Sequence, residues 1–246
     1  MTLSRGKMIA AGAVTLLLGL IALFPARVAY QWFAPPGIAL NGISGTVWSG
    51  RAAQASVQGV YLEGLAWEIR PLALIKGQLA MSIEGIPGSG FVETTLTVGF
   101  SGTVQFDDLQ GSLPLQSLER LVRMPGLRGN ASVQFERLAI RDGLPVAADG
   151  VLTVSSLVAP MIHRGSIGGY RAEFFTQNAG VMASVEDTDG VVDLAGSLQI
   201  AADRTFRFTG LVASKATTPP NLLQQMQFLE GPNERGQYTL PIEGKL

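Results

Sequence analysis

Apolar and polar side chains alternate along most of this chain. Leu79, Met81 and Ile83 alternate with Ala80, Ser82 and Glu84, and Leu96, Val98 and Phe100 alternate with Thr97 and Gly99 before Val104 and Phe106. The same rhythm returns in Val133 and Phe135 about Gln134, in Phe206 and Phe208 about Arg207, and in Tyr238, Leu240 and Ile242. Leu194, Leu198 and Ile200 fall on one face of such a run, Asp193, Ser197 and Gln199 on the other. A period of two puts successive side chains on opposite faces of a pleated strand, so each run predicts a strand with one apolar face. There are about a dozen such runs, the spacing expected of an all-β chain. Turns between them are predicted at Pro87-Gly88, Asp142-Gly143, Asp149-Gly150 and Asp189-Gly190.

The predicted fold is therefore mostly β: a strongly curved, mainly antiparallel sheet, either an open barrel or a groove, with one or two short helices. Its apolar face collects Leu79, Met81, Ile83, Leu96, Val98, Phe100, Val133, Phe135, Leu198, Ile200, Phe206 and Phe208. If the sheet does not close, these line a long apolar groove, and exposed apolar area of that kind marks a binding surface for lipid or protein.

Three segments depart from the alternation. Residues 8–24 (MIAAGAVTLLLGLIALF) carry no charge and approach the length needed to cross a hydrocarbon core. Arg5 and Lys7 precede them and only Arg27 follows closely, which keeps the N-terminus on the cytoplasmic side. Tyr30, Trp32 and Phe33 sit where an interfacial aromatic belt belongs. Signal-peptide cleavage wants small residues at −3 and −1, and cutting after Ala26 or Ala29 puts Phe24 or Arg27 at −3, so an uncleaved anchor is the expectation. The expected organisation is a cytoplasmic 1–7, a transmembrane helix over 8–26, a membrane-proximal linker over 27–39 and a β domain over 40–246. Leu115, Leu118 and Val122 predict a short helix after Pro114. Residues 219–230 predict another, capped by Thr218, with Leu222, Leu223, Met226 and Leu229 on one face, as a lid packed on the sheet.

Composition narrows the chemistry. The 246 residues are 47% hydrophobic with net charge −1, so no basic footprint for nucleic acid exists. With no cysteine, thiolate catalysis and cysteine-ligated metals are excluded, and a Ser-His-Asp triad would have to use the single histidine, His163, which has no partner at motif spacing. Asp107 and Asp108 are adjacent and point apart on a strand unless a bulge intervenes. Glu186, Asp187 and Asp189 read as a solvated hairpin tip lacking EF-hand spacing. No catalytic, cofactor or metal residue is assigned.

The stretch LNGISGTVWSGRA, residues 40–52, is rich in glycine yet has neither the lysine of a phosphate-binding loop nor the G-x-S-x-G spacing of a nucleophile turn. Its glycines suit a kinked strand or a close backbone approach. Here the chain resembles the type II secretion system protein N family. The resemblance rests on G-T-x-W-x-G (Gly45, Trp48, Gly50) after the anchor, then W-x-x-x-P-x-x-L-x-G-x-L (Trp67, Pro71, Leu74, Gly77, Leu79), and the closing Gly236, Tyr238, Leu240, Gly244 and Leu246. It implies a non-enzymatic inner-membrane protein with a periplasmic β domain, working with other secretion-apparatus proteins to export folded exoproteins across the outer membrane of Gram-negative bacteria. Such partners would dock at sheet edges or the terminal strand. The second motif is also similar to AsmA-like proteins, whose curled sheets hold lipid, and this implies phospholipid as a ligand of the apolar groove.

Overall fold

The computed structural model describes residues 5–34, 36–99, 101–177 and 180–245. Two helices, α1 (Arg5–Ala22) and α2 (Ala26–Phe33), precede one sheet of 13 strands. The strands are β1 (Ile38–Gly45), β2 (Ser49–Val57), β3 (Val60–Ile69), β4 (Gln78–Ile86), β5 (Phe91–Gly99), β6 (Val104–Pro114) and β7 (Arg128–Arg141). They continue with β8 (Leu144–Ala159), β9 (His163–Gln177), β10 (Gly180–Asp187), β11 (Val192–Ile200), β12 (Thr205–Ser214) and β13 (Tyr238–Lys245). Each pairs antiparallel with the next in sequence, so the sheet is an uninterrupted meander that ends at β1 and β13 without closing.

Register puts the alternating apolar residues on one face. Leu79 lies opposite Val98 and Met81 opposite Leu96. Leu198 lies opposite Phe208 and Ile200 opposite Phe206. Across the middle the alternation needs a correction, because Phe106 and Leu109 are out of phase. A bulge at Asp108, whose φ is 51°, supplies it, and Thr94 lies buried opposite, donating its hydroxyl to the Asp107 carbonyl at 3.1 Å. Glu136 plays the same part in β7, so that both Phe135 and Leu138 pack in one cluster with Ala148 and Val181.

The sheet is rolled. One cavity of about 510 Å³ is lined by Leu157 of β8 and by Ile242 of β13. In a flat sheet those strands would lie five spacings, about 24 Å, apart. The cavity is roofed by α5 (Pro220–Met226), whose Leu222 and Met226 are buried. A second cluster, Leu115, Leu127, Ala131, Ala159 and Ile167, also takes in Leu222 and packs under the connection between β6 and β7. That connection holds a 3-10 turn (Leu115–Leu118) and α4 (Glu119–Val122), where the sequence predicts a helix.

Several expectations need correcting. The span expected over 8–26 is not one helix: α1 ends at Ala22, and Pro25, which has no N–H to continue it, opens α2 instead. Among the described residues no helix is long and apolar enough to cross a membrane. The linker expected over 27–39 holds most of α2 and the start of β1. Asp149-Gly150 is not a turn but the interior of β8. Gly150 is there because a Cβ would collide with the backbone and ring of Phe135. The Asp149 carboxylate accepts from the Thr176 N–H at 2.9 Å and pairs with Arg137 at 3.4 Å. A further short helix, α3 (Pro71–Ile75), joins β3 to β4; five residues are too few to show a periodic apolar face. Phe100 and Leu246 lie outside the described residues.

Candidate functional site

The glycine-rich stretch builds the joint between α1 and the sheet. β1 turns into β2 through residues 46–48. The Trp48 indole N–H donates to the Ile21 carbonyl at 2.8 Å, satisfying one of the carbonyls left open at the end of α1. The Val47 N–H donates to the Phe24 carbonyl at 2.9 Å. From the next hairpin the Trp67 indole N–H reaches the Val47 carbonyl at 3.1 Å, and the Ile69 N–H reaches the Trp48 carbonyl at 2.6 Å. Gly50 lies under the Trp67 ring, where a Cβ would collide with it. Gly45, at φ 89°, brings its backbone against Ser49 and Gly50. Pro71 opens α3, and Gly77, at φ 70°, closes it by donating to the Leu74 carbonyl at 2.9 Å. Seven of the eight residues of the first two motifs thus lie at one end of the sheet, and the eighth, Leu79, starts the apolar face. The signal was glycine and tryptophan at close spacing, and its meaning is mechanical.

The apolar face is the second feature. Of the groove residues predicted from sequence, only Phe135 is buried; the other described ones are half-buried, their side chains neither sealed in a core nor turned to bulk water. Part of this face is the cavity under α5, bounded by Leu157, Ile167, Val185, Leu194, Val212 and Leu240, with Tyr170 and Gln225 as the polar side chains in its lining. Most of these residues were legible as strand or helix positions but not as a site, because nothing local says that β8 and β13 come together.

A polar latch holds the roof. The Lys215 ammonium pairs with the Asp187 carboxylate and donates to the Gly190 carbonyl at 3.1 Å. Thr218 does not cap α5, whose N-cap is Pro219. Its hydroxyl instead donates to the Val191 carbonyl at 2.6 Å and accepts from the Lys215 N–H at 2.7 Å. Asp187 is therefore no solvated tip residue: its side chain is 7% exposed. Burial alone would raise its pKa, but the Lys215 hydrogen bond, the Leu194 N–H at 2.8 Å and the Lys215 charge outweigh that and hold it below the usual carboxylate range. Burial, then the charges of Asp187 and Asp189, push the Tyr170 phenol up, so it stays neutral and donates to the Ile167 carbonyl at 3.1 Å.

His163 starts β9 and packs over Gly165. Asp108 is exposed at its bulge, and Asp107 accepts from the Gln105 side chain at 2.7 Å. Among the described residues no three His, Asp or Glu side chains gather as metal ligands.

The two edges of the sheet differ from an open template. On β1 the Tyr30 hydroxyl accepts from the Leu40 N–H and donates to the Ile38 carbonyl, both at 3.1 Å, so α2 covers that edge. On β13 the Thr239 N–H is taken by the Glu230 carbonyl at 2.7 Å, and Pro241, two residues on, has no N–H to offer.

The molecule is thus an open, rolled antiparallel sheet with a half-covered apolar face, preceded by an apolar helix. Residues 36–241 match the family described as Type II secretion system (T2SS), protein N, and the chain belongs to that family, a component of type II secretion. It is 28% identical over 243 residues to "Type II secretion system protein N" of Vibrio cholerae serotype O1, covering 95% of this chain and 96% of that one. It is 23% identical over 234 residues to the protein of the same name from Aeromonas hydrophila, covering 86% of each. No solved structure matches it.

Proposed function

We propose that this protein is a non-enzymatic scaffold or adaptor of the type II secretion apparatus, anchored in the inner membrane by α1 with its β domain in the periplasm. The observation that carries the reading is the joint at Trp48. It fixes to the sheet a helix whose Ile9, Val14, Leu16, Leu18, Leu20 and Ile21 are all more than half exposed. A helix apolar all round needs a protein core or lipid about it. From Met8 to Ala22 its uncharged part rises about 22 Å at ~1.5 Å per residue, short of the ~30 Å hydrocarbon core, and Leu23 and Phe24 extend the apolar stretch toward it. Tethering confines the β domain near other anchored proteins, so weak contacts suffice. Because α2 covers the edge of β1 and Thr239 and Pro241 blunt that of β13, apparatus proteins dock on the apolar face rather than by strand addition.

A second reading rests on the cavity under α5. Its volume and near-absence of polar groups suit an acyl chain, which would make the protein a periplasmic lipid binder or lipid carrier. Purification of the full chain from native membranes in mild detergent, with bound proteins and lipids identified by mass spectrometry, separates the two. The scaffold reading predicts other secretion-apparatus proteins with lipid no richer than bulk membrane. Stoichiometric phospholipid without those proteins overturns it in favour of the second.

A further inference from the structure

In a meander, alternate connections share one end of the sheet. The turn at residues 46–48, α3, and the connections after β5, β7 and β11 therefore lie at the end from which α1 departs, while α5 lies at the other. Among the described residues farther along that end, Ser101, Asp142, Asp203 and Arg204 are exposed. The connection beside α1 exposes apolar side chains instead. In α3, Leu72 is 76% and Ile75 82% exposed, and Leu74 joins them. Exposed Arg70 and Lys76 flank this apolar tip. Two hydrogen bonds connect it to the helix: Ile69 N–H to the Trp48 carbonyl at 2.6 Å, and the Trp48 indole to the Ile21 carbonyl at 2.8 Å.

We propose that α3 is a second membrane contact, dipping Leu72, Leu74 and Ile75 into the lipid surface beside α1 while Arg70 and Lys76 meet anionic headgroups. This rests on the reading of α1 as the membrane anchor. The occupant is lipid because the patch is continuous with the base of that helix and because its basic flanks complement a negative surface. Two contacts at one corner fix the tilt of the β domain on the membrane, which one contact alone does not.

The chain has no cysteine, so a single introduced thiol can carry an environment-sensitive fluorophore. Ile75→Cys, Leu16→Cys and Phe228→Cys, each in the full chain, would be labelled in vesicles of phosphatidylethanolamine and phosphatidylglycerol containing spin-labelled quencher lipids. Phe228 is 90% exposed at the opposite end of the sheet. The expected result is blue-shifted, quenched emission at 16 and 75 and water-like, unquenched emission at 228. Quenching at 16 with a water-like signal at 75 overturns this inference and leaves the anchor standing. A water-like signal at 16 overturns the anchor reading and this inference with it. Quenching at both 75 and 228 also overturns it, since the domain would then lie flat.

Discussion

Two ion pairs on this sheet show why position outweighs count. Arg207 and Glu243 meet at 2.6 Å, but both side chains are more than half exposed, and such pairs contribute about 0–1 kcal/mol. Glu243→Gln is expected to leave the thermal midpoint unchanged. Asp187 is enclosed with Lys215, and Asp187→Asn, which keeps the shape but removes the charge, is expected to cost about 2 kcal/mol, a figure lowered for the partial exposure of Lys215. The pH dependence follows from the depressed pKa. The carboxylate stabilises the fold above the usual range and loses that contribution as pH falls below about 4. Thermal unfolding at pH 7 and pH 3 checks both points: the gap between wild type and Asp187→Asn should be wide at pH 7 and narrow at pH 3. The sequence reads Asp187 as part of a solvated turn, whereas it ends β10 with its side chain enclosed, and its partner was hidden because Lys215 lies beyond two further strands. Gly50 was different. Its nearness to Trp48 and Trp67 in sequence made a close approach foreseeable, though not that the ring above it belongs to Trp67.

At the level of elements, strands were readable because a period of two survives wherever one face is apolar. The exceptions have physical causes. The bulge at Asp108 and Glu136 breaks phase in mid-strand, and Asp149-Gly150 mimics a turn because Gly150 is needed under Phe135. Helix α5 is shorter than its apolar stripe predicts; beyond Met226 the chain turns back so that Glu230 can bond Thr239. As the roof of the cavity, α5 is held by Leu222 and Met226 below and by the latch at Lys215. Leu222→Ala is expected to cost about 2–4 kcal/mol and to increase binding of a fluorescent hydrophobic probe by uncovering the cavity. Unchanged stability and probe binding would mean that the roof is not fixed.

At the level of the whole molecule, a meander makes every strand pairing local in sequence, so the order of strands follows directly from the order of runs. What the runs could not reveal is closure, since that depends on bulges and twist summed over 13 strands. The central strands β7, β8 and β9 are the longest, and Phe135 of β7 and Ala148 of β8 form a buried cluster with Val181 of β10. Their amides are expected to exchange most slowly with solvent, and those of β1 and β13 fastest, in a hydrogen-exchange experiment on the full chain. Uniform protection from β1 to β13 would indicate a closed or fully covered sheet.

We propose that this half-covered apolar face is the working surface of a secretion component. It is tested most directly by exoprotein secretion in cells lacking the native protein. These would be supplied with wild type, with the groove variant Leu198→Glu/Phe208→Glu, or with Arg207→Ala, which alters the other face of β12. Each variant would first be shown to reach the membrane fraction at wild-type level. The account predicts that the groove variant loses secretion while Arg207→Ala retains it. Normal secretion with the groove variant, folded and present, would contradict it.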